Sequence, residues 1–330
     1  MKSRCNKLIN NKITITASII ALCAIFLILF AVRHRKTDDK IKLTAVYEYA
    51  QICAIIDLVK EQHLLEKHLP DNVEVEWQMI DSGSDRRDAL ATNRAAIAVI
   101  ENTKVIPSIE QGYTISILGG GSVFQRGIYT SNPDIKTPQD LVGKKIAHQG
   151  SSVIVTLKTD LKRNFGIEIE DDQLLSVGEQ ELLNMIATSQ VDVAILTGTM
   201  SEKMLSMNPD VREIYDLTNE AKLIGVSNWL VGSTEFFNKY PELLEPVMKA
   251  YTEALDEARN NPEGVAQLLA PLFGISQSQI EKEFKNYPPE LEIYGYDEMA
   301  SILFENGDLE KPAKPFVELT NYAQIPKREE

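Results

Sequence analysis

The strongest constraint in this sequence is an order of short apolar strands and amphipathic helices that occurs twice. In the first copy, strands are predicted at residues 42–46, 73–80 and 97–100. In the second copy, strands are predicted at residues 145–148, 173–177 and 191–196. Apolar residues at helical spacing lie between the strands of both copies. Since alternating strands and helices build parallel sheets, the repeat predicts two α/β lobes of similar topology.

The chain is expected to pass between these lobes twice. A glycine-rich turn at residues 119–122 is interpreted as a hinge, with direct ligand contact left open. The chain enters the second lobe through residues 124–130 and returns through residues 223–232, where residues 228–231 are predicted as a second crossing strand. Later helices are predicted at residues 243–258, 262–272 and 277–284. This pattern assigns residues 41–122 and 226–330 to lobe 1, and residues 123–225 to lobe 2. Two crossings would let the lobes close on each other by bending at the linking strands.

An uncharged, mostly aliphatic run of 20 residues occupies positions 13–32. As a helix rising 1.5 Å per residue it would span about 30 Å, the thickness of a bilayer's hydrocarbon core. We therefore predict an uncleaved transmembrane signal-anchor. It follows a basic cytoplasmic N-terminus of residues 1–12 and precedes a linker of residues 33–40. A cleaved signal and lipidation of Cys23 are the alternatives.

Charge and cysteine content exclude several classes of function. The net charge of −14 becomes −18 once the four basic residues before the apolar run are set aside, which argues against nucleic acid as a partner. Of the three cysteines, only Cys53 lies in the globular part, so neither a disulfide framework nor a cysteine zinc site is predicted. His63 and His68 lack further ligands at zinc spacing. No metal and no cofactor is expected.

Residues 137–147 carry the most specific motif of the chain, TPQDLVGKKIA. This stretch resembles a motif of bacterial solute-binding proteins that serve ABC importers of nitrate, sulfonates, taurine and thiamine-pyrimidine precursors. Gly150-Ser151 after the next strand, residues 187–196 and the FFNKYPEL stretch at residues 236–243 are also similar to that family. Together these similarities extend over about residues 41–290.

The resemblance implies an α/β fold of the periplasmic-binding-protein-like type II, a two-lobed clamshell, here preceded by the N-terminal transmembrane helix. It implies an extracytoplasmic location, and the anchor predicted from the apolar run, which replaces that family's more usual cleaved or lipidated leader, would hold the domain at the cell membrane. It also implies that the domain binds a small-molecule ligand and delivers it to an ABC permease and ATPase, which are separate chains. The ligand would belong to the nitrate, sulfonate, taurine or pyrimidine-like class. Such a protein is not an enzyme.

Two other functions stay open at this point. A membrane-tethered sensor would present the loaded clamshell to a membrane partner. An enzyme related to thiamine-pyrimidine synthesis is the second, although that branch carries a cysteine-rich motif that Cys53 alone cannot supply. No Ser-His-Asp arrangement stands out, since His148 lies in a predicted strand and the other histidines are remote.

The ligand site is predicted beyond the carboxyl ends of the strands, where helix N-termini present free N–H groups. In lobe 1 this rule selects Tyr47, Glu48, Tyr49, Ser82, Gly83, Ser84, Glu101 and Asn102. In lobe 2 it selects Gln149, Gly150, Ser151, Ser152, Thr197, Gly198 and Thr199. Trp229, on the second crossing strand, is added as a ring that could stack on a planar ligand. For the serines and threonines, helix capping alone is the competing interpretation.

Two acidic residues of this set bear on the ligand's charge. Glu48 and Glu101 would oppose an anion and suit a cation or a hydrogen-bond donor. We therefore expect a neutral or cationic, heteroaromatic metabolite rather than nitrate or a sulfonate. The opposite interpretation rests on helix N-termini, which bind oxyanions without arginine, and on Arg126 near the hinge.

Overall fold

Ten strands in the described part of the chain form two sheets of five strands each. The computed structural model describes residues 40–49, 53–121, 124–225, 228–293 and 295–319. The strands of the first sheet are β1 (Ile41–Tyr47), β2 (Val73–Met79), β3 (Ile97–Glu101), β4 (Ile115–Gly119) and β10 (Asn228–Ser233). The strands of the second sheet are β5 (Arg126–Thr130), β6 (Ile146–His148), β7 (Leu174–Ser176), β8 (Val193–Thr197) and β9 (Arg212–Asp216).

Helices connect these strands and follow the last of them. Those between strands are α1 (Ala54–Glu61), α2 (Leu64–His68), α3 (Gly83–Ala91), α4 (Asn102–Glu110), α5 (Ser151–Phe165), α6 (Glu179–Ala187), α7 (Gly198–Met207) and α8 (Thr218–Leu223). Those after β10 are α9 (Thr234–Lys239), α10 (Leu244–Asn260), α11 (Pro262–Phe273), α12 (Gln277–Asn286) and α13 (Tyr296–Glu305). The helices predicted after residue 241 are therefore present.

The two sheets have equivalent strand orders. The first runs β2-β1-β3-β10-β4 and the second runs β7-β6-β8-β5-β9. In the first sheet β1 is parallel to β3, while β10 is antiparallel to β3 and β4. In the second sheet β6 is parallel to β7 and β8, while β5 is antiparallel to β8 and β9. This correspondence confirms the predicted repeat of an α/β pattern, now seen as two similar sheets. Each repeated strand starts and ends within two residues of its predicted bounds.

Each predicted crossing strand becomes the fourth strand of a sheet. The first matches β5, which enters the second sheet. The second, predicted at residues 228–231 within a returning segment of residues 223–232, matches β10, which runs from Asn228 to Ser233. Leu223, at the start of that returning segment, ends α8, and Ile224 caps that helix through an N–H donated to Glu220 O. The lobe boundaries given above stay a prediction.

By contacts between residues, the chain divides into a small and a large unit. The small unit comprises residues 1–41 and 72–74, and the large unit comprises residues 42–71 and 75–330. In the small unit the Ile41 N–H donates to Asn72 O at 2.9 Å, and Lys40 pairs with Glu74 at 3.6 Å. Nearly all residues of the two sheets belong to the large unit.

Strand β8 shows how the second sheet is buried on both faces. Val193 and Ile195 pack into one apolar cluster with Leu157 and Leu161 of α5. Ala194 and Leu196 belong to a second cluster, which contains apolar side chains of α6 and α7. Successive side chains of a strand point to opposite faces, so an uninterrupted apolar run is required where helices cover both.

The predicted glycine-rich hinge is held by close backbone contacts. A Cβ atom at Gly120 would lie 2.3 Å from the carbonyl oxygen of Glu292, and one at Gly121 would lie 2.1 Å from that of Asn228. Real Cβ contacts are not that short, so both positions require glycine for the approach of neighbouring backbone. The Gly120 N–H also donates to Leu291 O at 2.7 Å.

The predicted membrane anchor at residues 13–32 lies outside the described residues, as do the segment of residues 1–12 and most of the linker. Among the residues that the structure describes, no helix has the length and apolar character needed to cross a bilayer.

Candidate functional site

A cavity of about 420 Å³ is lined by loops that follow strands of both sheets. Its size is typical of small-molecule sites. The first sheet and its helices contribute Glu48, Tyr49, Asp81, Ser82, Gly83, Ser84, Arg86, Glu101, Lys104 and Asn228. The second sheet and its helices contribute Phe124, Arg126, Gln149, Gly150, Ser152, Val153, Ser176, Val177, Glu179, Thr197, Met200 and Lys203. Phe273 and Ile275, at the end of α11, complete the lining.

Most of the residues predicted for the site line this cavity. They are Glu48, Tyr49, Ser82, Gly83, Ser84, Glu101, Gln149, Gly150, Ser152 and Thr197. The rule that selected them is topological: parallel strands bring their carboxyl ends to one edge of a sheet, so the loops after those ends gather there. Contact of these residues with a ligand stays a prediction.

Other predicted residues lie outside the described lining. Tyr47 packs edge-on against Tyr49, with ring centroids 5.0 Å apart. Asn102 is completely buried and donates its Nδ2 hydrogen to Gly225 O at 2.6 Å. The Ser151 hydroxyl is 2.9 Å from that of Thr103. Two further members of the predicted set, Gly198 and Thr199, form the start of α7.

The prediction that Trp229 stacks on a ligand needs correction. Its side chain is 0 % exposed and lies in the core of the first sheet, parallel to the Tyr296 ring at a centroid distance of 6.0 Å. The physical reason is the insertion of β10 between β3 and β4, which leaves every residue of β10 buried. A ring on such a central strand serves the packing of the sheet.

A buried ion pair forms one wall of the cavity. Arg86, on the first turn of α3, is 2 % exposed, and its Nη1 donates to the Glu48 carboxylate and to Ile80 O, the latter at 3.0 Å. Burial raises the pKa of Glu48, and Arg86 offsets only part of that rise. The Cys53 thiol lies 3.8 Å from the same carboxylate, and burial raises the pKa of that thiol. Cys53 is therefore a neutral thiol at physiological pH and not an activated nucleophile.

Glu101 links elements that follow strands of the two different sheets. Its carboxylate accepts a hydrogen bond from Lys104 Nζ at 2.9 Å and another from Ser152 Oγ at 2.9 Å. Burial raises the pKa of Glu101, but Lys104, the Ser152 hydroxyl and the charge of Arg126 together outweigh burial and lower it. Glu101 is accordingly a carboxylate at neutral pH.

On the second sheet's side, the cavity is bounded by Gly150 and Arg126. Gly150 has a φ of +86°, a conformation that favours glycine, and α5 starts at the next residue. Arg126 is 4 % exposed, and its Nη1 donates to Thr156 Oγ1 at 3.2 Å. The sequence signal for Arg126 was its position near the predicted hinge.

Several residues that line the cavity were not predicted from the sequence. Arg86 lies in the first turn of α3 and Lys104 in the first turn of α4, where the sequence pattern gave no signal for a site. Phe273 and Ile275 come from a distant part of the chain and reach the cavity only through tertiary packing. Among the described residues, no group of histidine, cysteine and acidic side chains is arranged to hold a metal ion.

Comparison with known protein families gives one match. The model for the family described as NMT1/THI5 like matches residues 71–265 of the sequence. No curated protein sequence matches the chain.

Solved structures share the fold over most of the chain. The alkanesulfonate-binding protein SsuA from Xanthomonas axonopodis pv. citri, bound to MOPS, has a TM-score of 0.70 and 18% identity, over 82% of this chain and 95% of that one. The Candida albicans CA3427 gene product, described as having the generic periplasmic binding protein fold, has a TM-score of 0.65 and 15% identity, over 86% and 95%. The periplasmic nitrate-binding protein NrtA from Synechocystis PCC 6803 has a TM-score of 0.59 and 15% identity, over 73% and 69%. These similarities show the periplasmic-binding-protein fold.

Proposed function

The chain belongs to the NMT1/THI5-like family, and we propose that it is an extracytoplasmic solute-binding protein that delivers a small metabolite to an ABC importer. Family membership agrees with the resemblance carried by residues 137–147. The structures of similar fold include proteins described as binding alkanesulfonates and nitrate. The permease and ATPase would be separate chains, and the proposal includes no catalytic step.

One observation carries this proposal: the cavity is lined by the loops that follow strands of both sheets. In the proposed type II clamshell, each sheet is the centre of one lobe. Lobe 1 would comprise residues 41–122 and 226–330, and lobe 2 residues 123–225. A solute held by loops of both lobes would favour the closed arrangement, because it contacts both sets only when they are close. The permease would then distinguish the closed, solute-bound protein from the open, empty one.

The charges of the cavity support a neutral or cationic solute. Its four acidic residues are Glu48, Asp81, Glu101 and Glu179, and its four basic residues are Arg86, Lys104, Arg126 and Lys203. Ion pairs on the protein already join Arg86 to Glu48, Lys104 to Glu101 and Lys203 to Glu179. An anionic solute would have to compete with these carboxylates for the same cations.

Native mass spectrometry of the freshly purified full-length chain tests the proposed function. We expect a small neutral or cationic molecule to be retained. Ser84→Trp places a large ring in the cavity and should abolish that retention, whereas Ser278→Trp, on the exposed surface of α12, should not. The proposal is contradicted if no molecule is retained and if amines, pyrimidines, nitrate and sulfonates all give no heat in calorimetry.

We also propose that residues 13–32 anchor the globular part at the outer face of the cell membrane. After an alkaline carbonate wash, the full-length protein is expected in the membrane pellet. The double variant Ile20→Arg/Ile25→Arg should move to the supernatant, because each charge at the bilayer centre costs about 2.5–3.5 kcal/mol. Cys23→Ser should stay in the pellet. Release of wild-type protein would disprove the anchor, and release of Cys23→Ser alone would indicate lipidation.

A further inference from the structure

Glu101 stands at the junction of the two halves of the cavity. It is the last residue of β3 and directly precedes α4. Its side chain is 14 % exposed, so its carboxylate is partly withdrawn from water. A charged group at such a place influences any ligand that enters, since charges interact more strongly when water is excluded.

The carboxylate lies against the start of α5, on the opposite side of the cavity. Ser152, in the first turn of α5, donates its hydroxyl hydrogen to Glu101 Oε1 at 2.9 Å. A Cβ atom at Gly150 would lie 3.1 Å from the same oxygen, so the absence of a side chain there makes room for the carboxylate. Glu101 thus occupies space at a helix N-terminus, where backbone N–H groups favour negative charge.

One positive side chain pairs with this carboxylate, and a second lies beside its partner Ser152, with Arg126 Nη1 at 3.5 Å from Ser152 O. Lys104 pairs with the carboxylate at 2.9 Å. Arg126 donates to Thr156 Oγ1 and to Phe124 O. Its positive charge is close enough to lower the pKa of Glu101. The carboxylate therefore acts as a counter-ion that the protein supplies to its own cations.

We infer that Glu101 is a specificity-determining residue of the proposed solute site: its carboxylate neutralises the positive charge of Lys104 and Arg126 and thereby excludes anionic solutes. The inference rests on the proposed function and deepens it. An oxyanion entering the cavity would meet a fixed negative charge at the place where its own charge would be stabilised. A neutral or cationic solute meets no such repulsion.

Calorimetric titration of the full-length chain with nitrate and with methanesulfonate tests this inference. Glu101→Gln keeps the shape of the side chain and removes its charge, which leaves Lys104 and Arg126 without this counter-ion. We expect this variant to bind at least one of the two anions roughly tenfold or more tightly than wild type. Glu245→Gln makes the same change in net charge on the exposed surface of α10 and should give no gain.

A second variant separates charge from contact between the two sides. Ser152→Ala removes the hydrogen bond to Glu101 but retains the carboxylate and its pair with Lys104. It should bind the two anions as weakly as wild type. An equal gain in Ser152→Ala and Glu101→Gln would overturn the inference, because loosening of the contact and not loss of charge would then explain the gain.

Measurements on the wild-type chain keep the inference testable even if Glu101→Gln does not fold. Micromolar binding of nitrate or methanesulfonate by wild type would refute it and would leave the solute-binding function intact. Absence of anion binding by a folded Glu101→Gln, in a preparation whose wild type retains a metabolite in native mass spectrometry, would also refute only the role of Glu101. A wild type that retains no small molecule and responds to none would count against the proposed function itself.

Discussion

Replacement of Trp229 by alanine is expected to lower the free energy of unfolding by about 3–5 kcal/mol, the range measured for deletion of large buried rings. The indole is completely buried and stacks on Tyr296 between β10 and α13. Its loss leaves a cavity that a central strand, hydrogen-bonded on both sides, cannot close by moving. Urea unfolding followed by far-ultraviolet circular dichroism measures the change.

The other tryptophan of the chain provides the matched control. Trp77 lies on β2, at the edge of the first sheet, where it is half-buried and donates Nε1–H to Glu66 at 3.2 Å. Trp77→Ala should therefore cost clearly less stability than Trp229→Ala. If Trp229→Ala weakened solute binding without lowering stability, Trp229 would be a ligand contact after all, as the sequence suggested.

Replacement of Arg86 by methionine is expected to destabilise the protein by about 3–5 kcal/mol at pH 8, because it leaves the Glu48 carboxylate largely buried without its cation. The double variant Glu48→Gln/Arg86→Met removes both charges and should recover most of this loss. Urea unfolding of wild type, single variants and double variant gives the coupling energy between the two residues. A double variant no more stable than Arg86→Met would show that the ion pair is not the source of the effect.

The same variant has a predictable dependence on pH. Burial already raises the pKa of Glu48 above its ordinary value, and loss of Arg86 should raise it further. A carboxyl whose pKa is raised on folding favours the folded state at low pH, and this contribution is lost as the pH rises through the folded-state pKa. The penalty of Arg86→Met relative to wild type should therefore be smaller at pH 5 than at pH 8. An equal penalty at both values would mean that Glu48 does not carry the buried charge.

The repeated strand order was predictable because its signals are local. Alternation of apolar side chains and helical spacing depend on neighbours a few residues away, so both can be recognised in the sequence without knowledge of the tertiary structure. The edge of the sheets at which a cavity would form followed from the same order, since loops after parallel strands gather at one edge. Glu48, Ser82, Glu101 and Ser152 were selected in this way and line the cavity.

The direction and environment of individual side chains were not predictable in the same way. Trp229 was assigned to the site because it lies on a crossing strand, yet that strand is inserted between two others and buried. Arg86 is one of several charged residues in α3, and only packing against the loop after β1 turns it into a buried partner of Glu48. Burial depends on what lies across space, which a single sequence does not record.

By itself, the sequence determined the repeated α/β pattern, the order of strands and helices along the chain and the loops able to reach a common site, because each of these depends on short-range periodicity and chain connectivity. Only the tertiary structure decided which charged groups pair within the cavity. The contact of Glu101 with Ser152 joins residues 51 positions apart, and that of Arg86 with Glu48 joins residues 38 positions apart. Electrostatic energies depend on distance and burial, and both are properties of the folded chain.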